Sequence, residues 1–374
     1  MASELFKEAS KYFSLDSLDK DNWAFKLFSK VTVGIFMGSA ALSLASSYSG
    51  DAIVCKGGDD YDKQYCWLHG SRQLPASQIS DDISGKHCYA DPDNEDVSLR
   101  SPNPDTEYYI WVSMVLFLNG IVFMIPDKLW QYFEDGMLEQ FGSDKSNFLS
   151  NPRDEYDADG KHVAVFKMIS KKLSRKYFWT FFACEMLNVV IGIVSFLCIN
   201  AFLSGQFSTY GADVLNYNSG DKDGAKDPMC SLFPTIVNCE TSFFGVTGAK
   251  EDRSIICILG QNILNQKIYF LLWLWFMVLF GVSVLVIINR IMCIFVPAFQ
   301  RQVVAAHLKS KNANRLTSLE RIPLGHEYLG KWFLLAQIGR NSCPYKYRNF
   351  LERLGEKPPL LDGNHSTIQL ETFN

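Results

Sequence analysis

IYFLLWLWFMVLFGVSVLVIIN, running from Ile268 to Asn289, is a stretch of 22 residues without a single charge. At a helical rise of about 1.5 Å per residue it reaches about 33 Å, which covers a bilayer hydrocarbon core of about 30 Å. In such a core only helices and closed barrels satisfy their own backbone polar groups, so the stretch reads as a membrane-spanning helix. Three further charge-poor blocks have the same character: Val31 to Ser49, Tyr108 to Pro126, and a block that starts near Tyr177 and is uncharged from Met186 to Ala212. The first is the least hydrophobic, being rich in Ser, Ala and Gly. It is too long for the apolar core of a signal peptide, and thirty residues precede it. By length alone, 374 residues would allow two or three soluble domains. The distribution decides otherwise: the chain is 48% hydrophobic and 20% charged, and the two kinds of residue are segregated rather than interleaved. A net charge of −4 excludes a polybasic nucleic-acid binder.

These blocks divide the chain into an N-terminal arm (1–30), spans at 31–50, 108–130, 177–203 and 268–297, loops at 51–107, 131–176 and 204–267, and a tail (298–374). Four spans put both termini on one side. The arm, the 131–176 loop and the tail carry 5, 8 and 11 Lys and Arg, against 5 in each of the other loops, so 24 against 10. The excess marks the termini and the middle loop as cytoplasmic. Cysteine placement agrees independently. Cys55, Cys66 and Cys88 fall in the first extracellular loop and Cys230, Cys239 and Cys257 in the second, where an oxidising exterior favours pairing. Six cysteines allow fifteen connectivities. Three per loop is odd, so full pairing needs at least one bridge between the loops. Two local pairs with two free thiols are the alternative.

The loops also carry a resemblance. Tyr65-Cys66-Trp67-Leu68-His69-Gly70, Tyr108-Tyr109-Ile110-Trp111-Val112 and Ile125-Pro126-Asp127-Lys128-Leu129-Trp130 occur in that order. They are followed by Phe233-Pro234-Thr235, Asn238-Cys239, Phe244-Gly245 and Asn262-Ile263-Leu264-Asn265. Lys267-Ile268-Tyr269 then runs into Leu272-Trp273-Leu274-Trp275-Phe276, and the tail holds Phe333-Leu334-Leu335-Ala336-Gln337-Ile338-Gly339-Arg340-Asn341. This series resembles the innexins, the invertebrate gap-junction proteins, over roughly residues 20–350. Ile110 stands where the family usually has Gln, and Asp127 where related sequences often have a basic residue.

The resemblance implies an all-α membrane protein: a four-transmembrane-helix bundle with disulfide-stapled extracellular loops forming a small α/β cap, and a helical cytoplasmic domain. It implies assembly as a homo-oligomeric ring around a central pore, typically an octamer, in contact with membrane lipids. Such a hemichannel docks through its cysteine-bearing loops with that of an adjacent cell, at a cell junction of the plasma membrane, and needs no cofactor. The family pattern pairs Cys55 with Cys257 and Cys66 with Cys239. Cys88 and Cys230 are additional, one in each loop, and a third bridge between them is the natural expectation. In the family the N-terminal arm folds into the pore mouth, which here singles out Ala2, Ser3, Glu4, Leu5 and Phe6. An amphipathic arm lying on the membrane is the plainer reading.

Several residues stand out on physical grounds. Glu185 is the one charge deep in a span, and an intramembrane carboxylate faces either a hydrogen-bonding partner or a wet cavity. Pro126 removes a backbone donor near the end of the second span, where it acts as a bend or as a gating hinge. Gly34, Gly38, Ala41 and Ala45 give the first span a small-residue face, suited to close helix packing within the subunit or to the border of a pore. The first extracellular loop has 12 acids against 5 bases and the second 7 against 5. Repeated around a ring, this charge favours cations. The one Asn-x-Ser/Thr triplet, Asn364-His365-Ser366, lies in the tail, so no glycan is expected on the docking face.

An enzyme is disfavoured. The chain has no P-loop, no dinucleotide fingerprint and no His-Glu-x-x-His, and His69 and His87 beside Cys66 and Cys88 fit no zinc spacing. A four-span adhesion or scaffold protein of the tetraspanin type would carry Cys-Cys-Gly, and connexins space their loop cysteines more tightly. A non-junctional, pannexin-like hemichannel releasing small molecules is the nearest alternative.

Overall fold

The computed structural model describes residues 21–49, 52–69, 72–73, 108–134, 138, 163, 166–167, 170, 174–219, 227–244, 246–308, 322, 324–325, 328–342 and 344–355. Ala2, Ser3, Glu4, Leu5, Phe6 and Cys88 lie outside these. Among the described residues four helices are long and apolar enough to cross a membrane: Trp23–Ser47, Ile110–Glu134, Arg175–Phe202 and Gly260–Phe295. The first is built from α1 (Trp23–Lys26), a π turn (Leu27–Val31) and α2 (Thr32–Ser49). After it come β1 (Ile53–Cys55), α3 (Asp60–His69), β2 (Arg72–Gln73), α4 (Tyr108–Glu134), α5 (Ser174–Phe202), α6 (Phe207–Ser219) and α7 (Pro228–Leu232). The remainder is β3 (Ile236–Phe244), β4 (Lys250–Leu259), α8 (Gly260–Phe295), α9 (Pro297–Ala306), α10 (Leu329–Asn341) and α11 (Pro344–Gly355).

The first, second and fourth helices outlast the apolar runs that announce them, whereas the third ends at Phe202, inside its run. The first begins at Trp23, eight residues before Val31, because Asn22 caps it: its Oδ1 accepts the Phe25 N–H at 2.6 Å and so satisfies one orphan donor of the first turn. The fourth begins at Gly260, eight before Ile268, and its 36 residues make a helix about 54 Å long. That exceeds the hydrocarbon core of about 30 Å, so its ends extend past the lipid tails. The second runs unbroken through Pro126 to Glu134.

The chain divides into two compact units. The described residues of the first fall within 21–133 and 182–287. Its core is aromatic. Phe36 of the first span stacks on Phe123 of the second at 5.5 Å and meets Phe276 of the fourth edge-on at 6.1 Å. Phe196 of the third lies 5.5 Å from Phe276 and 5.4 Å from Phe207 of α6. Such pairs add to the burial of large apolar surface. Most of the small-residue face of the first span is exposed among the described residues, Gly34 alone being partly buried. Among the described residues a Cβ on Gly38 would meet nothing within 4 Å, and Ala41 and Ala45 are exposed. The packed face is instead Phe36, Ser39, Ala40 and Ser43, since large rings on the neighbouring spans reach across to it.

The same unit holds a four-stranded antiparallel sheet in the order β1-β4-β3-β2. Cys257 sits opposite Cys55 on one side and Val237 on the other. Along β4, Ile255, Cys257 and Leu259 are buried, the two-residue period of a strand with one covered face.

The described residues of the second unit fall within 134–181 and 288–374. Phe333 of α10 is its hub, lying 4.9 Å from Phe181, 5.6 Å from Tyr177 and 5.8 Å from Phe178. The Arg290 guanidinium lies over the rings of Phe181 and Phe333, at 5.3 and 5.8 Å, an attraction between a cation and aromatic faces. Buried Gln300 fixes α9: its Nε2 donates to the Cys293 carbonyl at 2.6 Å and its Oε1 accepts the Gly325 N–H at 3.0 Å. Tyr347 of α11 donates to the Leu335 carbonyl at 3.0 Å, and its ring lies so close to Gly339 that an added Cβ would come within 2.7 Å of Cζ. Gly339→Ala is therefore expected to destabilise this unit by about 2 kcal/mol, as overpacking does. Thermal melts of the purified full-length protein would register the loss, and an unchanged melt would contradict this packing.

His307 ends α9. Burial pushes its imidazole below the ordinary 6.5, and Arg340 adds to the effect. The folded unit thus favours the neutral ring, and the unfolded chain binds more protons between the two pKa values. The stability this contributes is complete above about pH 6.5 and is lost as pH falls through the lowered folded value. Melting temperature should fall between about pH 7.5 and about pH 5.5, and His307→Gln should flatten that fall. Equal slopes in the two proteins would rule His307 out as its source.

Candidate functional site: the disulfide cap and the polar residues of the spans

The cap is tied at two points. Cys55 and Cys257 form a disulfide between paired positions of β1 and β4, and Cys66 of α3 bonds Cys239 of β3. All four are buried, in one cluster with Ile53, Val237, Ile255 and Leu259. Both bridges join the first cysteine-bearing loop to the second, across 202 and 173 residues of chain. Each closes a long loop and restricts the unfolded chain accordingly. The Sγ atoms of Cys55, Cys66 and Cys257 lie within 4.8 Å of one another, but disulfide sulfurs are not thiolate ligands, so the cluster is a structural staple. Cys230, just ahead of β3, is also disulfide-bonded.

Below the sheet the cap is joined to the spans by buried amides. Gln261 Nε2 donates to the carbonyl and to Oγ of Ser43 in the first span, at 3.0 and 2.8 Å, and Ser113 Oγ of the second span donates to the same Ser43 Oγ at 3.0 Å. Asn262 donates to the Pro234 carbonyl at 2.7 Å and Gln266 to that of Phe233 at 3.0 Å. Gln261, Asn262 and Asn265 are fully buried. Sequence reasoning missed this network. Four carboxamides within six residues at the head of an apolar helix were the signal.

Glu185 is buried on the third span, where its Oε1 accepts Asn22 Nδ2 at 2.6 Å. It therefore holds the cap of the first span, which is a hydrogen-bonding role. Pro126 is buried within a continuous helix, and Asp127 beside it is buried and accepts from Gln131 Nε2 at 3.0 Å. Cys184, Cys198 and Cys293 are not disulfide-bonded.

Sequence comparison places this architecture. The innexin family model matches residues 21–357, nearly the whole chain. The chain belongs to the innexin family. It is 31% identical to "Innexin inx2" of Drosophila melanogaster over 361 residues, 95% of each chain. It is 27% identical to "Innexin inx3" of the same species, covering 91% of this chain and 86% of that one, and 27% identical to "Innexin inx2" of Schistocerca americana, covering 95% and 98%. Innexins are gap-junction channel proteins, and this one is accordingly a multi-pass membrane protein of a channel family. The innexin pairing of Cys55 with Cys257 and Cys66 with Cys239 is the pairing found here.

Proposed function

We propose that this innexin is a subunit of a large-pore hemichannel that docks with a hemichannel of an adjacent cell to form a gap junction passing ions and small molecules. One observation carries the reading: the two cysteine-bearing loops are fused into a single buried-cored sheet by two disulfides. A cap so constrained presents a fixed surface, and a fixed surface lowers the ordering cost of docking. Copies assemble as a homo-oligomeric ring, an octamer by analogy with the family. The cap faces outward and both termini face the cytoplasm, in keeping with the 24 to 10 distribution of Lys and Arg.

Within this reading Cys230 pairs with Cys88 as a third staple between the loops. Its disulfide-bonded state and the odd count of cysteines per loop support the pairing. Peptide mapping under reducing and non-reducing conditions tests it, and a free Cys88 thiol would refute it. Ala2 to Phe6 line the pore mouth, so deleting residues 2–14 alters conductance or gating. The acidic loops bias the pore toward cations. Electrical coupling and dye transfer between paired cells expressing the protein test the proposal as a whole. Transfer between cells is the expected result. Membrane leak without transfer would mean a non-junctional hemichannel, and neither would remove the channel reading.

A further inference from the structure

The first and third spans run side by side with two fixed points of contact. Asn22 bonds Glu185, and farther along, the Phe28 ring lies 3.7 Å from where a Cβ on Gly192 would sit. Between these points the third span carries Asn188, 1% exposed, with neither Nδ2 nor Oδ1 partnered among the described residues. Buried carboxamides are normally hydrogen-bonded, and an exception calls for an explanation. Between the same points the first span carries Phe25, whose side chain is a hydrocarbon ring with no hydrogen-bonding atom, and Phe28 itself lies in the π turn Leu27–Val31, closed by the Thr32 N–H donating to the Leu27 carbonyl.

A π turn holds one residue more than an α turn. Relaxing it to α geometry leaves Thr32 onward in place and moves every residue ahead of it by one position, a rotation of about 100° with a rise of about 1.5 Å. Trp23, now 64% exposed, would then occupy the place of Asn22 and bring its indole N–H to Glu185. Lys26 would occupy the place of Phe25, which stands three residues after Asn22 as Asn188 stands three after Glu185, and bring a cationic donor to the level of the Asn188 oxygen. The second register therefore keeps a donor on Glu185 and supplies the partner that Asn188 lacks in the first.

We infer that the first span of this innexin is a two-register switch, in which the π turn stores one residue and Glu185 and Asn188 form the paired catches that hold the alternative positions. Residues 21–26 turn with the slip, so the two registers present different residues at that end of the helix. This rests on the channel reading for its consequence, not for its geometry.

The test is cysteine trapping in the full-length protein in membranes, with Cys184, Cys198, Cys293 and Cys343 replaced by serine. Asn22→Cys with Glu185→Cys closes in the register seen here, and Trp23→Cys with Glu185→Cys closes in the other. Ala24→Cys with Glu185→Cys is the control that neither register brings together. Both test pairs should cross-link on oxidation, the control should not, and the two locks should hold conductance at different levels until reduced. If the Trp23 pair fails to cross-link, or the control cross-links as readily, the switch is refuted. Two cross-links with identical conductance would refute its gating role. Should Glu185→Cys fail to fold, deletion of Val31 keeps the present register with a regular α-helix. That deletion should abolish switching, and a deletion variant that still switches would overturn the inference. If even the parent conducts nothing, the channel reading falls, while the cross-linking pattern still reports the register.

Discussion

Cys66→Ser and Cys239→Ser should each cost this innexin about 3.5 kcal/mol, the loop-closure value for the short ring of about 30 residues that this bridge closes once Cys55–Cys257 already ties the two loops. Cys66 and Cys239 are 0% and 2% exposed, so the serine hydroxyl would also be buried in an apolar cluster. Because both single variants break the same bond, the double variant should be little worse than either, the non-additivity expected of one shared interaction. Fluorescence-detected size-exclusion melts in detergent would measure all three. Cys198→Ser is the matched control, since that thiol is free and exposed, and it should leave the melt unchanged. If Cys66→Ser melts like Cys198→Ser, the cap is not held by its staples, and the rigid docking surface proposed above loses its support.

Gly211→Ala should be nearly as damaging despite adding a single methyl group. Gly211 lies buried in α6, and a Cβ there would fall 2.1 Å from Cδ2 and Cε3 of Trp273 and 2.7 Å from its Cγ. These atoms belong to a rigid ring near its root, so the indole has no small adjustment that clears them. It is also held by its Nε1 donating to the Ser208 carbonyl at 3.1 Å. Moving the ring breaks that bond and disturbs the packing of the fourth span against α6, a loss of roughly 3 kcal/mol. Reduced surface expression and a lowered melting temperature are the expected readouts. Trp273→Phe should partly rescue Gly211→Ala by vacating ring volume. A Gly211→Ala protein as stable as its parent would show that Trp273 does not fill this slot.

Much of this protein was legible before any coordinates, for identifiable reasons. A span announces itself locally, because about 20 consecutive apolar residues suffice to cross the lipid core, and a long helix stands at each of the four blocks. Cys55, Cys66, Cys239 and Cys257 could be assigned to loops because of where they fall between the blocks, but their pairing came from the family resemblance, since parity alone left fifteen connectivities open. The bonds observed are the family's. Helix starts were less legible. Lys26, Lys30 and Gln261 break the apolar pattern, yet a helix needs hydrogen bonds rather than hydrophobicity, and Asn22 and the amide network supply them. The small-residue face suited either packing within the subunit or the border of a pore, and among the described residues Ala41 and Ala45 are exposed while Phe36 and Ser43 are buried.

What the amino-acid order determined on its own was everything that depends on nearest neighbours: four long helices, two cysteine-bearing loops between them, and an apolar tail segment buried as α10. What only the tertiary structure decided was which distant residues meet. Gln261 finds Ser43 across 218 residues, Asn22 finds Glu185 across 163, and the π turn Leu27–Val31 interrupts the first span where no hydrophobic pattern encodes it. Hydrophobicity chooses which residues leave water, because transfer to an apolar interior costs or yields free energy residue by residue. Hydrogen bonds and ring contacts need specific atoms about 3 to 6 Å apart, and that proximity exists only once the helices have packed.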